Sequence, residues 1–366
     1  MFQAAQPERL LRLSLADPPK AAEQAAAAGL EFAGVVGVDD DTAVAAAHIA
    51  ARLGLPHASV PACEAARDKH RQRELMSRHG VSVPRFQLLH FGQDLGQAAT
   101  EVRYPCVLKP THLSMSRGVI RADDRASFIA AARRVRRIVQ DCGGNDDDAF
   151  LVEDFIGGPE VAVEGMMRDG ALEVLAIFDK PDPLEGPFFE ETIYATPSTL
   201  PGAAQAALVA CVRDAARAIG LDRGPVHAEV RWSGGHAVLI ELAARPIGGR
   251  CSNVLRFEGG VTLEDLVLSR ALNRAAAPAR LADGASAVMM IPTPRAGILR
   301  SVGNADAARA VEGIDGLDIT VAPGQRLVPL PEGSRYLGFI YARAARVEDA
   351  VSALRTAHAR LDIVIE

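Results

Sequence analysis

Two glutamates in a short hairpin pattern constrain the fold of this chain more than any other feature. Glu229 and Glu241 each lie in a short apolar run, and Ser233-Gly234-Gly235 separates the two runs. Apolar runs on either side of a glycine-containing turn are typical of a β-hairpin. A loop of three residues, Gly234 to His236, would place both glutamates on one face, directly opposite each other, because side chains alternate along strands. A loop of two residues would place them on opposite faces.

Carboxylates that face each other across a hairpin repel, so the pairing requires a shared proton or a cation between them. Arg245 and the glycines Gly248 and Gly249 follow directly and add a fixed positive charge and a flexible backbone. Carboxylates, an arginine and glycines together indicate a metal-bound phosphate. A surface hairpin with two solvated glutamates is the alternative interpretation.

The composition is that of a globular protein with little support for nucleic-acid binding. The 366 residues exceed one ordinary hydrophobic core, which predicts two or three packed units. The net charge of -6 and the lack of a long Lys/Arg run argue against nucleic-acid partners. Five cysteines show neither disulfide nor metal spacing and are typical of reduced thiols. No segment has the apolar length of a membrane span or the pattern of a signal peptide, so we expect a cytoplasmic protein without a membrane partner.

Residues 1–67 alternate helix and strand patterns in the manner of a parallel α/β unit. The pattern predicts helices over Pro19–Ala28 and Thr42–Leu53, with a buried strand over Phe32–Val38 between them. The initial strand and glycine turn that a complete nucleotide-type αβ unit would carry are not present in the sequence. We therefore expect a shortened Rossmann-like domain.

Residues 68–275 form a second predicted unit of mixed α and β pattern, with a small lobe over about residues 105–155. Residues 180–200 are rich in proline and glycine and predict a functional loop. An alanine-rich linker over residues 274–283 leads into a small α/β unit over 285–366. The fold class is α/β (α+β).

Lys109 and the loop after it are candidates for phosphate contact. Lys109 ends an apolar strand pattern, and Ser114, Ser116 and Gly118 follow in a loop that offers hydroxyls and backbone donors. A lysine at a strand end is otherwise an ordinary surface charge. Lys69 is a weaker candidate, because a lysine in a charged helix is normally solvated.

Residues 150–160 can supply a nucleoside pocket. Glu153 ends a strand pattern, Phe155 and Ile156 lead into a glycine hinge, and Glu160 opens the next strand. An adenine needs an apolar slot with backbone donors and acceptors, and a ribose diol needs one carboxylate. A plain bulged connection between two strands is the alternative interpretation.

The order of these segments carries a family resemblance. Lys69, Lys109 with its loop, Glu153 with Glu160, the glutamate pair and Arg245 occur in the order of the ATP-grasp pattern. The sequence resembles ATP-grasp carboxylate-amine ligases, and in particular the L-amino-acid ligase branch. The resemblance implies an ATP-grasp fold with a shortened Rossmann-like N-terminal domain and a small α/β C-terminal domain.

The resemblance extends over about residues 20–366 and is strongest over residues 104–119, 151–163 and 227–249. The last unit is similar to the C-terminal domain of L-amino-acid ligases, with residues 299–302 and 323–325 among its marks. The resemblance implies domain bounds of 1–67 for the N-terminal domain, 68–275 for the ATP-grasp domain and 285–366 for the C-terminal domain.

The resemblance also implies roles for individual residues, with ATP and Mg²⁺ or Mn²⁺ as cofactors. The residues that would contact ATP are Lys69, Lys109, Ser114, Ser116, Gly118, Glu153, Phe155, Ile156 and Glu160. Glu229 and Glu241 would hold the metal ion. Arg245, together with Lys109, would neutralise charge on the transferred phosphoryl group and act in catalysis.

Four further residues are implied at the substrate end of the site. Gly248 and Gly249 would let backbone donors approach the carboxylate substrate, which Arg245 also contacts. His227 and Glu191 would orient the amine, and a purely structural role for either is the alternative. Small carboxylates and amines, amino acids above all, are the implied substrates, and a homodimer is a family-level expectation.

The implied reaction is ATP-dependent formation of an amide or peptide bond. A carboxylate attacks the γ-phosphate of ATP, the acyl phosphate reacts with an amine, and ADP and phosphate are released. Ala243 stands where many relatives carry a metal-binding asparagine, and Leu113 and Met115 replace small residues in the phosphate loop. These departures, with the short N-terminus, keep open a degenerate protein that binds nucleotide without ligating. A carboxylase or a phosphoribosylamine-type ligase of the same superfamily is a further alternative.

Overall fold

The computed structural model describes residues 10–145, 147–274 and 279–366. The α-helices in these ranges are α1 (Pro18–Ala27), α2 (Asp40–Leu53), α3 (Val60–Arg67), α4 (Lys69–Arg78), α5 (Leu95–Glu101), α6 (Arg125–Asp141), α7 (Gly202–Ala218), α8 (Leu263–Ala271), α9 (Ala305–Arg309) and α10 (Val347–Arg360). The predicted linker, residues 274–283, lies partly outside the described residues.

The strands form three sheets. They are β1 (Phe86–His90), β2 (Cys106–Pro110), β3 (Ile120–Ala122), β4 (Ala149–Asp154), β5 (Glu160–Arg168), β6 (Ala171–Asp179), β7 (Ile193–Thr196), β8 (Gly224–Ser233), β9 (His236–Ala243), β10 (Ala285–Ile291), β11 (Gly297–Gly303), β12 (Ile314–Ile319), β13 (Arg326–Leu327), β14 (Gly338–Ala344) and β15 (Asp362–Ile365). The predicted α/β class is confirmed.

The N-terminal segment is helical in its described part. The predicted strand over Phe32–Val38 is wrong, because no strand forms between α1 and α2. An isolated strand leaves its backbone donors and acceptors unpaired, and the segment has no neighbouring strand to satisfy them. Helix α2 begins instead at a capping box in which Asp39 and Thr42 satisfy each other's backbone N–H groups.

Residues 86–154 form a small lobe around an antiparallel four-stranded sheet in the order β1-β4-β2-β3. Helices α5 and α6 cover this sheet through a core that includes Leu108, Phe128 and Phe150. The apolar stripe of α6 faces the sheet, and its arginines lie on other faces of the helix. Because β2 packs in this core, the position of Lys109 near the end of the strand is fixed.

A single eight-stranded antiparallel sheet runs through the rest of the chain, in the order β12-β14-β10-β7-β6-β5-β8-β9. The three strands β10, β12 and β14 come from the predicted C-terminal unit, and β10 pairs directly with β7. A smaller sheet, β13-β11-β15, completes the C-terminal region. The C-terminal strands thus extend the sheet that carries the glutamate hairpin.

The two faces of the large sheet pack against different hydrophobic cores. On β7, Ile193 and Ala195 pack in the core beneath α9 and α10. Tyr194, between them, packs on the opposite face together with the 3₁₀ helix Cys251–Val254. This second face carries the site described below. Within the described residues, no helix combines the length and the apolar character needed to cross a membrane.

Candidate active site

The glutamate hairpin is formed by β8 and β9, and its geometry differs from the predicted one. Ser233 pairs with His236, so the loop contains two residues, Gly234 and Gly235, both with positive φ. Such a loop is the preferred turn for a tight hairpin. The predicted three-residue loop is therefore wrong.

Glu229 nevertheless lies directly opposite Glu241. The register shifts by one residue between this pair and the next, Val230 with Leu239, which leaves Ile240 as an extra residue. A bulge of this kind adds one residue to one strand and redirects the side chains beyond it. The bulge at Ile240, and not the length of the loop, therefore places the two glutamates opposite each other.

A cavity of about 160 Å³ opens beside the bulge, between the small lobe and the large sheet. The predicted site residues on its lining are Lys69, Lys109, Ser114, Ser116, Glu153, Phe155, Ile156, Glu160, Glu191, His227, Glu229, Glu241, Arg245, Gly248 and Gly249. Gly118 is not on the lining. The residues thus converge from segments that are far apart in the sequence.

Two of the lining residues are lysines. The Nζ of Lys69, at the start of α4, lies 2.7 Å from the carbonyl oxygen of Leu113 and 3.0 Å from Oε1 of Glu241. The Nζ of Lys109 lies 2.6 Å from Oε2 of Glu153. Both ammonium groups are buried and face carboxylates, so an anion entering the cavity would meet positive charges already held in place.

Arg73 is a buried residue that the sequence analysis missed. Its Nε donates to Oε1 of Glu153 at 2.5 Å, and its guanidinium also reaches the carbonyl oxygen of Ile240 at the bulge. Burial opposes ionisation of Glu153, but Arg73 and Lys109 hold its pKa below the usual value. Arg73 lies four residues after Lys69 on α4, and this spacing, which places both on one helix face, could have identified it.

Glu160 is the first residue of β5, and each of its two carboxylate oxygens has a charged partner. Its Oε1 lies 2.7 Å from Nζ of Lys180, and its Oε2 accepts a hydrogen bond of 2.7 Å from Nε of Arg231. The Arg231 guanidinium also bonds the carbonyl oxygen of Ile156 and lies 5.3 Å from the centre of the Phe155 ring. The predicted nucleoside pocket is therefore held together by Arg231, a second missed residue.

Lys180 is the third missed residue, and its side chain is only 3% exposed. Its ammonium group contacts Glu160, Glu191 and Glu229, and its distance to Oε1 of Glu229 is 3.1 Å. The three glutamates each place a carboxylate oxygen within 4.8 Å of the others, in a geometry that could hold a metal ion. Lys180 begins the proline- and glycine-rich stretch that the sequence marks as functional.

The charged groups of this cluster differ in the direction in which their pKa values are shifted. Burial disfavours the ammonium of Lys180, but the three glutamates outweigh it and raise its pKa well above the usual value. Burial and the neighbouring Glu229 raise the pKa of Glu191 to about 7. Burial also opposes ionisation of Glu229, yet Lys180 and His227 hold its pKa well below the usual value. Glu229 is thus the carboxylate that stays ionised, and Glu191 is the one that takes up a proton.

His227, on β8, lies between the carboxylates of Glu229 on the same strand and Glu164 on β5. Its Nε2 is 3.8 Å from Oε1 of Glu229, and its Nδ1 is 3.4 Å from Oε1 of the buried Glu164. Burial disfavours the charged imidazole, but the two glutamates raise its pKa to about 9. Glu164 also accepts a hydrogen bond of 2.8 Å from the backbone N–H of Ile247 and so fixes the segment that follows Arg245.

Arg245 is held by the N-terminal segment. Its Nε donates to Oδ1 of Asp40 at 2.9 Å, and its Nη1 donates to the carbonyl oxygen of Pro246 at 3.1 Å. Burial disfavours the charge on Arg245, but Asp40 raises the pKa of the guanidinium further. Asp40 is the first residue of α2, so the N-terminal segment contributes directly to this end of the cavity.

Gly249 lines the cavity four residues after Arg245. Its φ is +59°, and a Cβ at this position would lie 2.6 Å from Sδ of Met290. Glycine is therefore required here on two grounds, backbone conformation and space. Gly248 has no such neighbour, so its backbone is accessible from the cavity.

The phosphate loop is fastened to the C-terminal region. The N–H of Gly118 donates to the carbonyl oxygen of Pro331 at 2.9 Å, and Arg134 forms two hydrogen bonds with Glu332, of 2.6 and 2.8 Å. Gly118 has a φ of +71°, and a Cβ there would lie 2.9 Å from Cγ of Pro110. Gly118 therefore fixes the course of the loop from outside the cavity.

Comparison with known proteins places this geometry in a family. A family model for the ATP-grasp domain matches residues 102–254, and a model for the L-amino acid ligase C-terminal domain 2 matches residues 289–366. The chain is 31% identical over 234 residues to an alanine–anticapsin ligase of Bacillus subtilis, covering 59% of this chain and 49% of the relative. It is 32% identical over 200 residues to a D-alanine–D-alanine ligase of Aromatoleum aromaticum, covering 53% and 62%.

The fold extends the match over nearly the whole chain. An L-amino acid ligase from Bacillus licheniformis has a solved structure that superposes with a TM-score of 0.83 at 27% identity, covering 98% of this chain and 88% of the other. The chain spans about half the length of the alanine–anticapsin ligase that it matches. Together these matches show that the chain carries an ATP-grasp domain and an L-amino acid ligase C-terminal domain on the fold of an L-amino acid ligase.

Proposed function

We propose that this protein is an ATP-dependent carboxylate-amine ligase that forms an amide or peptide bond through an acyl phosphate and releases ADP and phosphate. One observation carries the proposal. A single cavity brings together two buried lysines, a facing pair of glutamates and an arginine, which come from three separate parts of the chain. The family and the ligases named among the relatives support the same chemistry.

The donor set fits a magnesium complex of ATP. Glu229 and Glu241 face each other at the bulge and provide hard oxygen ligands, which Mg²⁺ and Mn²⁺ prefer. Ala243 lines the same cavity and has no ligand atom to offer, so solvent or phosphate oxygens would complete the coordination. When bound, the metal ion would supply charge neutralisation at the β- and γ-phosphates.

The remaining residues bind and position the nucleotide. Lys69 and Lys109 present their ammonium groups beside the loop that carries Ser114 and Ser116. The backbone of residues 153–156 lines the apolar part of the cavity, where an adenine ring would lie. Because both oxygens of Glu160 are engaged, we propose that it meets a ribose hydroxyl as an acceptor shared with Lys180 and Arg231.

Arg245 would stabilise the negative charge that develops on the transferred phosphoryl group and on the acyl phosphate. Its Nη2 makes no hydrogen bond to another described residue, whereas Nε and Nη1 are held by Asp40 and Pro246. Two nitrogens thus fix the guanidinium plane and one is left for the substrate. The backbone at Gly248 and Gly249 would contact the carboxylate substrate on the same side.

The amine would bind near His227 and Glu191. Glu191, with its pKa raised to about 7, can accept a proton near neutral pH, which is the property required of a group that receives the proton of an attacking amine. We propose amino acids as the substrates, since the similar proteins include, by name, an alanine–anticapsin ligase and an L-amino acid ligase. A homodimer is proposed on the same family basis.

Transfer of ¹⁸O tests the acyl phosphate directly. A carboxylate substrate labelled with ¹⁸O, found first by screening amino-acid pairs for phosphate release, should yield phosphate that contains one labelled oxygen. Unlabelled phosphate from an active preparation would exclude the mechanism. Glu241→Gln should abolish turnover, with Glu258→Gln, at an exposed glutamate remote from the cavity, as its matched control.

The same screen separates the proposal from its alternatives. A degenerate protein, the possibility indicated by Ala243, would bind ATP without amine-dependent release of ADP. A carboxylase-type enzyme would show bicarbonate-dependent release instead. ADP release that depends on a pair of amino acids, together with a dipeptide identified by mass spectrometry, would support the amino-acid ligase over the carboxylase and the phosphoribosylamine-type ligase.

A further inference from the structure

A second cavity lies on the same face of the large sheet as the active site and contains polar groups that the proposed reaction does not use. Its volume is about 260 Å³, well above the ~30 Å³ that one water molecule occupies in the liquid. The lining includes Thr196, Ser286, Arg343, Arg256, Asp283 and Val254. These residues come from the ATP-grasp region and from the C-terminal region.

The strand register places three of these side chains in one row. Ser286 on β10 pairs with Thr196 on β7 at one side and with Arg343 on β14 at the other. Residues directly opposite each other on neighbouring strands share a face and lie about 5 Å apart. Two hydroxyls and a guanidinium therefore follow each other across three strands.

These groups lack partners within the described part of the chain. Oγ1 of Thr196 is buried, in a residue only 3% exposed, and has no hydrogen-bond partner. Arg343 is exposed, and its guanidinium makes neither an ion pair nor a hydrogen bond to another described residue, so it is available to a ligand from solvent. A buried polar group without a partner costs free energy, so such groups are rare outside ligand sites and water sites. Thr196 thus supplies a buried hydroxyl on the cavity lining that a polar ligand can satisfy.

The charges indicate the kind of ligand. Arg343 and Arg256 both line the cavity, and Arg256 has only a long contact of 3.5 Å to Asp315. Asp283 also lines it and is not within ion-pair distance of either arginine. Two guanidinium groups and two hydroxyls are the donors that recognise an oxyanion. A single carboxylate on the lining leaves the net charge positive.

We propose that this cavity binds a small oxyanion, either inorganic phosphate or the carboxylate of a free amino acid. The oxyanion would accept hydrogen bonds from Thr196, Ser286 and Arg343, with Arg256 adding positive charge. An amino acid would in addition place its ammonium group near Asp283, whereas phosphate would gain nothing from that residue. Asp283 therefore distinguishes the two sources.

The position of the cavity connects it to the active site. Met290, on the same face of β10 as Ser286 and four residues away, lines the active-site cavity at a distance of about 13 Å along the strand. The 3₁₀ helix Cys251–Val254 spans this interval, because Cys251 lines the active-site cavity and Val254 lines the second one. This helix follows Gly248 and Gly249 directly, so an occupant of the second cavity borders the substrate loop.

Equilibrium dialysis with radiolabelled inorganic phosphate and with radiolabelled glycine tests the proposal without any assay of catalysis. Arg343→Gln should raise the dissociation constant of the ligand that binds by about tenfold or more, the effect of losing a charge-assisted hydrogen bond. Arg346→Gln, at a neighbouring exposed arginine outside the cavity, is the matched control and should leave binding unchanged. Thr196→Val keeps the shape of the side chain and should weaken binding as well.

Each result decides the matter in one direction. Weakening by Arg343→Gln and Thr196→Val, but not by Arg346→Gln, supports the site, and a further effect of Asp283→Asn on glycine alone identifies an amino acid as the ligand. Equal dissociation constants for the wild-type protein and Arg343→Gln with both ligands would overturn the proposal, even where the active site binds the same molecules. A failure of the ligase proposal would leave this outcome unaffected, because no turnover is measured.

Discussion

Replacement of Lys180 by methionine tests the charge cluster at the centre of the candidate site. Methionine matches the length of the lysine stem but removes the ammonium group that contacts three glutamates. The side chain of Lys180 is 3% exposed, and those of Glu160, Glu191 and Glu229 are 6, 20 and 19% exposed. Removal of the ammonium therefore leaves three carboxylates close together with little access to solvent.

The expected loss follows from the burial of the cluster. Removing one partner of a buried ion pair costs about 3–5 kcal/mol, because the other charge remains buried without compensation. Proton uptake reduces the cost, and Glu191 is the group that takes up the proton, since its pKa is already about 7. We expect Lys180→Met to lower the free energy of unfolding by about 4 kcal/mol at pH 8 and by roughly 1–2 kcal/mol less at pH 6.

Urea-induced unfolding followed by circular dichroism at the two pH values measures this difference. Lys20→Met, at an exposed lysine of α1, is the matched control and should stay within about 0.5 kcal/mol of the wild type. Should the single variant fail to fold, Lys180→Met with Glu191→Gln removes one of the stranded charges and should regain part of the loss. Addition of MgCl₂ should also stabilise Lys180→Met more than the wild type, because three carboxylates within 4.8 Å of one another can bind a divalent cation.

Two results would refute this reasoning. A change below about 0.5 kcal/mol at pH 8 would show that the ammonium does not compensate the glutamates. A greater loss at pH 6 than at pH 8 would show that Glu191 does not take up the proton.

Three shorter predictions follow from other parts of the site. Glu191 binds more protons in the folded than in the unfolded state between about pH 4.5 and pH 7, so it lowers stability as the pH rises through that window, and Glu191→Gln should flatten this part of a stability-against-pH curve. Asp40→Asn should lower the free energy of unfolding in urea by about 2 kcal/mol, because it weakens a charged hydrogen bond to Arg245. The same substitution should raise the KM of the carboxylate substrate. An unchanged free energy and an unchanged KM would exclude a positioning role for Asp40. Arg134→Gln breaks a partly exposed ion pair with Glu332 and should change the free energy of unfolding by less than about 1 kcal/mol. The KM for ATP should nevertheless rise several-fold. An unaltered KM would show that the phosphate loop does not depend on this contact.

The sequence predicted the members of the site better than it predicted their partners. Lysines at a strand end and at a helix start, and glutamates in apolar runs, are local signals, and they converge on one cavity. Arg73, Lys180 and Arg231 were missed because their significance depends on carboxylates 80, 11 to 49, and 71 residues away in the sequence. A charged residue in a helix or beside a loop looks solvated until the chain is folded.

The hairpin shows why register is hard to predict from a loop alone. The pairing of Glu229 with Glu241 was predicted from a three-residue loop, and the structure reaches it with two residues and a bulge at Ile240. A bulge depends on contacts beyond its own strands, here the buried guanidinium of Arg73 at the carbonyl oxygen of Ile240. The failed strand over Phe32–Val38 has a similar cause, because strand propensity is expressed only where a neighbouring strand supplies the pairing.

The continuous sheet has a consequence for how the gene encoding such a chain can be shortened. Strand β10 covers the edge of β7, and it is the C-terminal region that supplies it. A protein ending before β10 would expose β7 as an unprotected edge, which invites association with other chains. We expect a 1–284 truncation to aggregate, as sedimentation would show, whereas a monodisperse truncated protein would argue that the two regions fold separately. Expression or engineering of the ATP-grasp region therefore has to include the C-terminal strands that complete its sheet.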